Sequence, residues 1–348
     1  MATRYRFRLR RIVLGVFVAA VLASWSAVST VAGQKLLPCE YQGVERVVAV
    51  GDIHGAYDRF VEILRAAGVV DDRARWAAGR THLVQIGDII DRGPDSRKVL
   101  DLLEDLGNRA RRAGGEVHML LGNHEIMRML GDLRYVSPGE YAAFATEQSV
   151  EVRDRYLKTL TRDERAKLPA DLPLGYVEMR VAFGRTGQYG RWLRRLDTVI
   201  RVNGVVFVHG ALSPEVGQMP CSVINDTVRR ELTTDIDKTR AAPLQSLAAS
   251  PNGPLWYRGL SEESAELTPK LDEILNVQGA KAIVVGHTAQ RDGRIQMRLD
   301  GKAFAIDTGM QPAYVPTGRA SALEIKDGVF TAIYTDRRDV LLDWRKPH

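Results

Sequence analysis

Residue types that bind metal ions and phosphate are concentrated in five short segments, each of which follows an apolar run. Singly, each segment fits an ordinary turn, but the five together contain four of the seven histidines in the chain and predict one polar site. The glycines in them allow tight turns and close backbone approach. The segments are Gly51-Asp52-Ile53-His54-Gly55, Gly87-Asp88-Ile89-Ile90-Asp91-Arg92-Gly93, Gly122-Asn123-His124-Glu125, His209-Gly210 and Gly286-His287-Thr288.

The donor set of these segments predicts a pair of divalent metal ions. It combines carboxylate, amide and imidazole groups without a thiolate, which suits Mn²⁺, Fe or Zn²⁺ better than Ca²⁺. Two ions that share Asp88 would lie roughly 3.5–4 Å apart, could form hydroxide from a bridging water and could bind a phosphoryl group. We expect Mn²⁺ to support activity best in vitro. The predicted ligands are Asp52, His54, Asp88, Asn123, His209 and His287.

Three neighbouring side chains complete a predicted catalytic site. His124 is an additional imidazole beside a ligand, suited to protonating a leaving oxygen. Asp91 can orient that imidazole. The planar guanidinium of Arg92 can bind phosphate oxygens.

The elements around these segments predict an α/β fold. Short apolar runs alternate with amphipathic helices in a β-α-β-α-β order, which implies right-handed crossovers and a largely parallel sheet. In such a sheet, ligands bind at the carboxyl ends of the strands. The predicted strands are Arg46–Val50, Leu83–Ile86 and Val117–Leu121, and the predicted helices are Tyr57–Ala67 and Ser96–Ala113.

The rest of the chain predicts a second sheet within the same domain, which we place at residues 46–348. Residues 131–197 are polar and are interpreted as an insertion of helices and loops, and a helix is predicted within Val223–Thr239. The C-terminal part is interpreted as a β-meander. The further strands predicted are Thr198–Val202, Val205–Val208, Ala282–Val285, Ala303–Ile306, Ala322–Ile325 and Phe330–Tyr334.

With these segments assembled, the sequence resembles the PPP metallophosphatases, which belong to the calcineurin-like phosphoesterases. The resemblance extends from about residue 46 to about residue 310. Within the family, the sequence is most similar to the bacterial, Shewanella-like branch. It implies a two-sheet β-sandwich flanked by helices, with a dinuclear metal site at strand ends. Beyond the five segments, it rests on Gln188-Tyr189-Gly190-Arg191-Trp192-Leu193, Val206-Phe207-Val208, Pro254-Leu255-Trp256-Tyr257-Arg258 and Asp307-Thr308-Gly309-Met310.

The resemblance also implies a role for each site residue. Asp52, His54 and Asp88 resemble ligands of the first metal. Asp88, Asn123, His209 and His287 resemble ligands of the second metal. His124 matches the proton donor and Asp91 its partner. Arg92 matches one phosphate-binding arginine, Arg258 is preferred over Arg191 for the other, and Asn123 is also expected to contact the phosphate.

The predicted function is metal-dependent hydrolysis of phosphomonoesters by direct attack of metal-bridging hydroxide. The substrate is expected to be a phosphoprotein, with phosphotyrosine or phosphoserine/threonine. The alternative is a hydrolase of diadenosine polyphosphates or another small phosphoester, since that branch of the family shares the same motifs. A non-enzymatic, metal-stabilised binding protein would predict a broken motif, and none is broken.

The first 33 residues predict export. Five arginines without an acidic residue precede an apolar stretch and then small residues, as in a secretory signal peptide. An uncleaved membrane anchor and an organelle-import sequence are the alternatives, so a membrane partner is expected only if this segment is retained. Residues 34–45 are interpreted as a linker. In an oxidising compartment Cys39 and Cys221 can pair, but two free thiols fit the sequence equally well.

Composition excludes several other classes of protein. The 348-residue chain is 45% hydrophobic and 26% charged, which argues against disorder and against a polytopic membrane protein. The formal net charge of +6 belongs mostly to the N-terminal arginines. Nucleic acid is therefore not an expected partner.

Overall fold

The computed structural model describes residues 39–262 and 268–346. The predicted signal peptide or anchor at residues 1–33 lies outside the described residues. Within the described ranges the chain forms twelve strands. They are β1 (Glu40–Tyr41), β2 (Arg46–Val50), β3 (His82–Gln85), β4 (Glu116–Met119), β5 (Val199–Val202), β6 (Val205–Val208), β7 (Ala282–Val285), β8 (Gln296–Arg298), β9 (Ala303–Ala305), β10 (Ser321–Lys326), β11 (Val329–Tyr334) and β12 (Arg338–Asp343).

Twelve α-helices occur in the same part of the chain, and α4–α8 lie in the predicted insertion. They are α1 (Tyr57–Ala66), α2 (Ser96–Arg112), α3 (Asn123–Leu130), α4 (Pro138–Ala142), α5 (Ser149–Thr159), α6 (Arg162–Ala166), α7 (Tyr176–Phe183), α8 (Gln188–Leu193), α9 (Cys221–Glu231), α10 (Ile236–Ala241), α11 (Gly259–Glu262) and α12 (Thr268–Gln278). None of the helices in these ranges is both long enough and apolar enough to cross a membrane.

Two six-stranded mixed sheets pack face to face, as the α/β sandwich prediction requires. One sheet has the order β1-β5-β6-β7-β9-β8, and the other has the order β12-β11-β10-β2-β3-β4. The strands β2, β3 and β4 pair in parallel, which the helical crossovers α1 and α2 impose. The predicted two-sheet fold flanked by helices is confirmed.

Successive side chains of a strand point to opposite faces of its sheet, so β2 contributes to two hydrophobic cores. Val47 and Ala49 point into the core between the sheets, where they join Phe207 of the opposite sheet. Val48 and Val50 point to the other face, which is covered by α1 and α2. A strand buried on both faces must be apolar at every position, and this explains its valine-rich sequence.

Two predicted elements differ in the structure. The predicted helix within Val223–Thr239 is divided into α9 and α10 by a turn at residues 232–235, where the Thr233 hydroxyl donates to the carbonyl of Arg229. The C-terminal strands do not form one meander, because β9 pairs in parallel with β7 in the first sheet. Only β10, β11 and β12 form antiparallel neighbours in the second sheet.

The two cysteines form a disulfide between Cys39 and Cys221, with their Cα atoms 6.2 Å apart. It joins the residue before β1 to the first residue of α9. Although residues 34–45 were interpreted as a linker, the described part of that segment contains β1, which pairs in parallel with β5. The chain is therefore attached to the sandwich from residue 39 onward.

Candidate active site

All five polar segments meet at the carboxyl ends of strands from both sheets. Asp52 follows β2, Asp88 follows β3, and Asn123 begins α3 shortly after β4. His209 follows β6 and His287 follows β7 in the other sheet. Residues of four of the five segments line a cavity of about 150 Å³, and the fully buried His209 is not part of this lining.

Five residues of these loops have a left-handed backbone conformation that glycine adopts more readily. The φ angle is +50° at His54, +53° at Asp88 and +63° at His287. It is +71° at Asp91 and +68° at Arg92. Such conformations cost about 1–3 kcal/mol each and cluster at functional sites. The sandwich holds these loops in shapes that direct the side chains into the pocket.

Two glycines allow the loops to approach one another. A Cβ atom at Gly122 would collide with the backbone nitrogen and the carboxylate of Asp88. A Cβ atom at Gly286 would lie 2.5 Å from the carboxylate of Asp52. Larger residues at these two positions would displace the predicted ligands.

Asp52, His54 and Asp88 form the first group of predicted ligands. The Nε2 atom of His54 lies 3.6 Å from the Asp88 carboxylate and 4.0 Å from the Asp52 carboxylate. Its Nδ1 atom lies 2.9 Å from the carbonyl oxygen of Ile90, to which it donates. That hydrogen bond leaves the Nε2 lone pair directed at the carboxylates, which is the usual orientation of a metal-binding histidine.

The second group is built around the other oxygen of Asp88. The Nε2 atom of His209 lies 3.3 Å from Asp88 Oδ1 and 2.9 Å from the amide oxygen of Asn123. Asp88, His209 and His287 offer donor atoms within 4.8 Å of one another. No described residue hydrogen-bonds the buried Nε2 atom of His287. Asp88 therefore lies between the two groups, where a shared ligand is expected.

The charges of the site favour bound cations. Burial and the charges of Asp307 and Asp88 raise the pKa of Asp52 well above its ordinary value. Burial lowers the pKa of His54 to about 3, and burial with the charge of His209 lowers the pKa of His287 to about 2. Neutral imidazoles and closely spaced buried carboxylates are the groups that a metal ion stabilises. The residues present therefore fit two divalent ions.

His124 occupies the position expected of a proton donor. Its Nδ1 atom lies 2.7 Å from Asp91 Oδ2, and its Nε2 atom lies 3.8 Å from Asp88 Oδ2. Burial disfavours the protonated ring, but the carboxylates of Asp88 and Asp91 outweigh burial and raise the pKa of His124. The two carboxylates thus stabilise a proton on the ring.

A buried cluster that sequence reasoning missed holds Asp91 in place. The guanidinium of Arg128 bonds both Asp91 and Glu140. Glu140 also accepts a 2.7 Å hydrogen bond from the backbone nitrogen of Asp91. Arg128 lies one helical turn after His124 on α3, and this spacing of four residues was an available signal. The sequence carries no comparable signal for Glu140, because this residue lies in the insertion at residues 131–197 and outside the five polar segments.

Arg92 lies at the mouth of the pocket between two aromatic rings. Its guanidinium carbon is 3.5 Å from the ring centre of Tyr314 and 4.9 Å from that of Tyr135. Tyr135 is 41% exposed and Tyr314 is 42% exposed. The rim of the pocket therefore carries one guanidinium group and two partly exposed aromatic rings.

Arg258 lines the same pocket as Arg92, whereas Arg191 lies in α8 and is not part of the lining. The Nη1 atom of Arg258 donates to the carbonyl oxygen of His287 at 2.8 Å and to the hydroxyl of Thr288 at 3.0 Å. Arg258 is therefore positioned by the loop that carries one predicted ligand.

Two further buried acids support the ligands. Glu125 accepts backbone hydrogen bonds from Gly122 at 2.8 Å and from Asp88 at 2.9 Å, and these bonds connect two of the loops. Asp307 hydrogen-bonds Asp52, and burial raises the pKa of Asp307 to about 6. Both residues belong to the quoted motifs, but their types alone did not reveal these supporting roles.

Comparison with known proteins agrees with this geometry. The model of the calcineurin-like phosphoesterase family matches residues 45–291, more than half of the chain. Shewanella-like protein phosphatase 2 of Arabidopsis thaliana is 33% identical over 309 residues, covering 84% of this chain and 78% of the relative. The crystal structure of a cold-active protein tyrosine phosphatase from a psychrophilic Shewanella species superposes with a TM-score of 0.69 at 30% identity, covering 88% and 83% of the two chains.

A shorter similarity concerns a different kind of phosphoesterase. The symmetrical bis(5'-nucleosyl)-tetraphosphatase of Nitrosomonas europaea is 37% identical over 78 residues, which cover 22% of this chain and 24% of that protein. This similarity is confined to a fraction of either chain.

The fold and the paired ligand groups define a metallophosphatase that hydrolyses phosphoesters. The chain belongs to the calcineurin-like phosphoesterase family.

Proposed function

We propose that this protein is a protein phosphatase that acts best on phosphotyrosine. The observation that carries the proposal is the His124–Asp91 pair beside the shared carboxylate of Asp88, with Arg92 at the pocket mouth. The exposed rings of Tyr135 and Tyr314 on both sides of Arg92 support an aryl phosphate. The similarity to the Shewanella tyrosine phosphatase and to a Shewanella-like protein phosphatase supports the same substrate class.

The chemistry follows from the groups on the pocket wall. Asp52, His54 and Asp88 would hold one ion, and the other predicted ligands would hold a second. Such ions, when bound, activate water and neutralise charge on phosphoryl oxygens. Arg92 and Arg258 bind and orient the phosphate as planar donors.

Proton transfer is assigned to His124. Its Nδ1 atom is engaged by Asp91, so the proton on Nε2 is the one given to the leaving oxygen. A phenolic leaving group needs less protonation than an alkoxide because its conjugate acid has a pKa near 10, about six units below that of water.

The test uses the full-length protein, stripped of metal and refilled with Mn²⁺, Zn²⁺ or Fe²⁺. We expect the highest turnover with Mn²⁺, and kcat/KM higher for a phosphotyrosine peptide than for a phosphoserine peptide or diadenosine tetraphosphate. Asp88→Asn removes the shared charge and should lose metal and turnover together. Equal kcat/KM on all three substrates, or metal-independent turnover, would contradict the proposal.

A dinucleoside polyphosphate hydrolase is the second candidate, since a tetraphosphatase is similar to this chain over 78 residues. Turnover best on diadenosine tetraphosphate in the same assay would select this candidate.

We also propose that the protein is exported or anchored facing an oxidising compartment. The disulfide between Cys39 and Cys221 supports this, since such bonds persist in exported proteins and are rare in the cytosol. Fractionation of cells with thiol labelling tests it. Recovery in the cytoplasm with two reduced thiols would overturn the proposal.

A further inference from the structure

A second cluster of metal-binding side chains lies on β3 and β4. His82 is the register partner of Glu116 across the parallel pair, and His118 is two residues further along β4. Side chains two residues apart lie on the same face of a strand. The Nδ1 atom of His82 is 2.9 Å from the Nε2 atom of His118. One donor atom from each of the three residues lies within 4.8 Å of the others.

The cluster is separate from the catalytic pocket. His82 begins β3, whereas Asp88 follows the other end of that strand. None of the three residues of the cluster lines the catalytic pocket. Since β4 is the edge strand of its sheet, Glu116 and His118 border a cavity of about 350 Å³ beside it.

The surroundings hold the rings in place while leaving access from solvent. The ring of Tyr41 packs against His118 with the two ring centres 4.4 Å apart. His118 is 6% exposed, whereas His82 and Glu116 are only partly buried. Burial lowers the pKa of both histidines, which keeps the two imidazoles neutral and able to bind a metal. An ion can therefore enter from the exposed side.

The donor types match a zinc ion. Two imidazoles and one carboxylate are a known tetrahedral ligand set that leaves the fourth position for water. Two nitrogens bound to one zinc ion are about 3.4 Å apart, given zinc–nitrogen distances of about 2.0–2.1 Å. The observed 2.9 Å separation needs to widen by only a few tenths of an ångström.

We propose that His82, Glu116 and His118 bind one zinc ion at the edge of the second sheet, in addition to the two ions of the catalytic pocket. The bound ion joins β3 to the edge strand β4 and stabilises it, because a ligand that binds only the folded state adds to its stability. In the ion-free form, the rings of His82 and His118 hydrogen-bond each other instead.

The experiment counts metal ions in the full-length protein. Wild-type protein is equilibrated with Zn²⁺, separated from free metal by gel filtration and analysed by mass spectrometry of the metal. We expect three equivalents in the wild type and two in Glu116→Gln. His82→Gln should also lose one equivalent, although its amide can retain a hydrogen bond to His118. The variant pair thus separates metal binding from a purely structural hydrogen bond.

A matched control is Glu104→Gln, which removes the same charge from the wall of the same cavity. It should keep three equivalents. In an Asp88→Asn background, Glu116→Gln should still remove one equivalent, so the result does not depend on the catalytic pocket. Zinc should also raise the melting temperature of Asp88→Asn by about 5 °C more than that of the double variant. Equal metal content and equal melting temperatures with and without Glu116 would overturn the proposal.

Discussion

At the scale of single residues, the orientation of His124 depends on a series of buried charges. Asp91 fixes its Nδ1 atom, and the opposite oxygen of Asp91 is held by Arg128. Arg128 in turn bonds Glu140, so four ionisable side chains share one network. Removing one member of a buried ion cluster leaves uncompensated charge, which makes each member important for the others.

The first prediction concerns the proton donor. His124→Asn keeps the six predicted ligands, so metal content should not change, while kcat should fall by about 10²–10⁴-fold on alkyl phosphates. The loss should be at least tenfold smaller on p-nitrophenyl phosphate, because that leaving group needs little protonation. Steady-state kinetics on both substrates measure the difference. Equal losses on the two would argue against proton transfer by His124.

The second prediction concerns Arg128 as a positioning residue. Arg128→Lys keeps the charge, but its ammonium sits on a shorter side chain than the Nη2 atom of Arg128, which bonds both Asp91 and Glu140. We expect kcat to fall by about tenfold with KM and metal content unchanged, and with the same dependence on the leaving group as for His124→Asn.

A control is Arg345→Lys, since the exposed Arg345 also pairs with a carboxylate, that of Asp343, and does not line the pocket. Its kinetics should equal those of the wild type. If Arg128→Lys lowered stability but left kcat and the leaving-group dependence intact, Arg128 would be a structural residue only.

At the scale of elements, the first strand depends on a covalent bond. β1 has two residues and, among the described strands, pairs only with β5. The disulfide attaches its start to α9 across 182 residues of sequence. Asn225 on the same helix bonds the backbone nitrogens of Thr198 and Val199, so α9 is also tied to the start of β5.

The third prediction is that Cys39→Ser lowers the free energy of unfolding by about 2–4 kcal/mol, since the unfolded chain gains the freedom of a long loop. Denaturant titration measures the change. The double variant with Cys221→Ser should match the single variant, and a reductant should have no further effect on either. A reductant effect as large on the double variant as on the wild type would contradict the structural role of this bond.

At the scale of the whole molecule, the two sheets meet at the predicted metal site. Asp52 and Asp88 come from one sheet, and His209 and His287 come from the other. Ions bound between them therefore connect the sheets and stabilise the folded chain. Without cations, the buried carboxylates repel one another.

The fourth prediction is that chelation of the metal lowers the melting temperature by about 10 °C, a change that Mn²⁺ reverses. Differential scanning calorimetry measures it. Asp88→Asn, which lacks the shared charge, should respond to Mn²⁺ by less than half as much. A melting temperature of the wild type that is independent of chelator would contradict this role of the ions.

The sequence by itself determined the fold class and the inventory of predicted ligands. Both are local properties: apolar runs of four or five residues form the strands, and polar residues that follow them with glycine must lie at strand ends. The parallel pairing of β2, β3 and β4 could be predicted for this reason, whereas the shared role of Asp88 stays a prediction. Boundaries differed by one or two residues, because the ends of strands depend on the neighbours with which they pair.

Only the tertiary structure decided which distant residues meet. The pairing of Cys39 with Cys221, the contact of Arg128 with Glu140 and the sheet to which β9 belongs all join segments whose local sequence carries no record of the partner. The same holds for His82 and His118, which look like ordinary strand residues until the parallel register places His82 opposite Glu116, with His118 two residues further along β4. Register and packing are properties of the assembled sandwich, and they are set by the burial of both faces of each sheet.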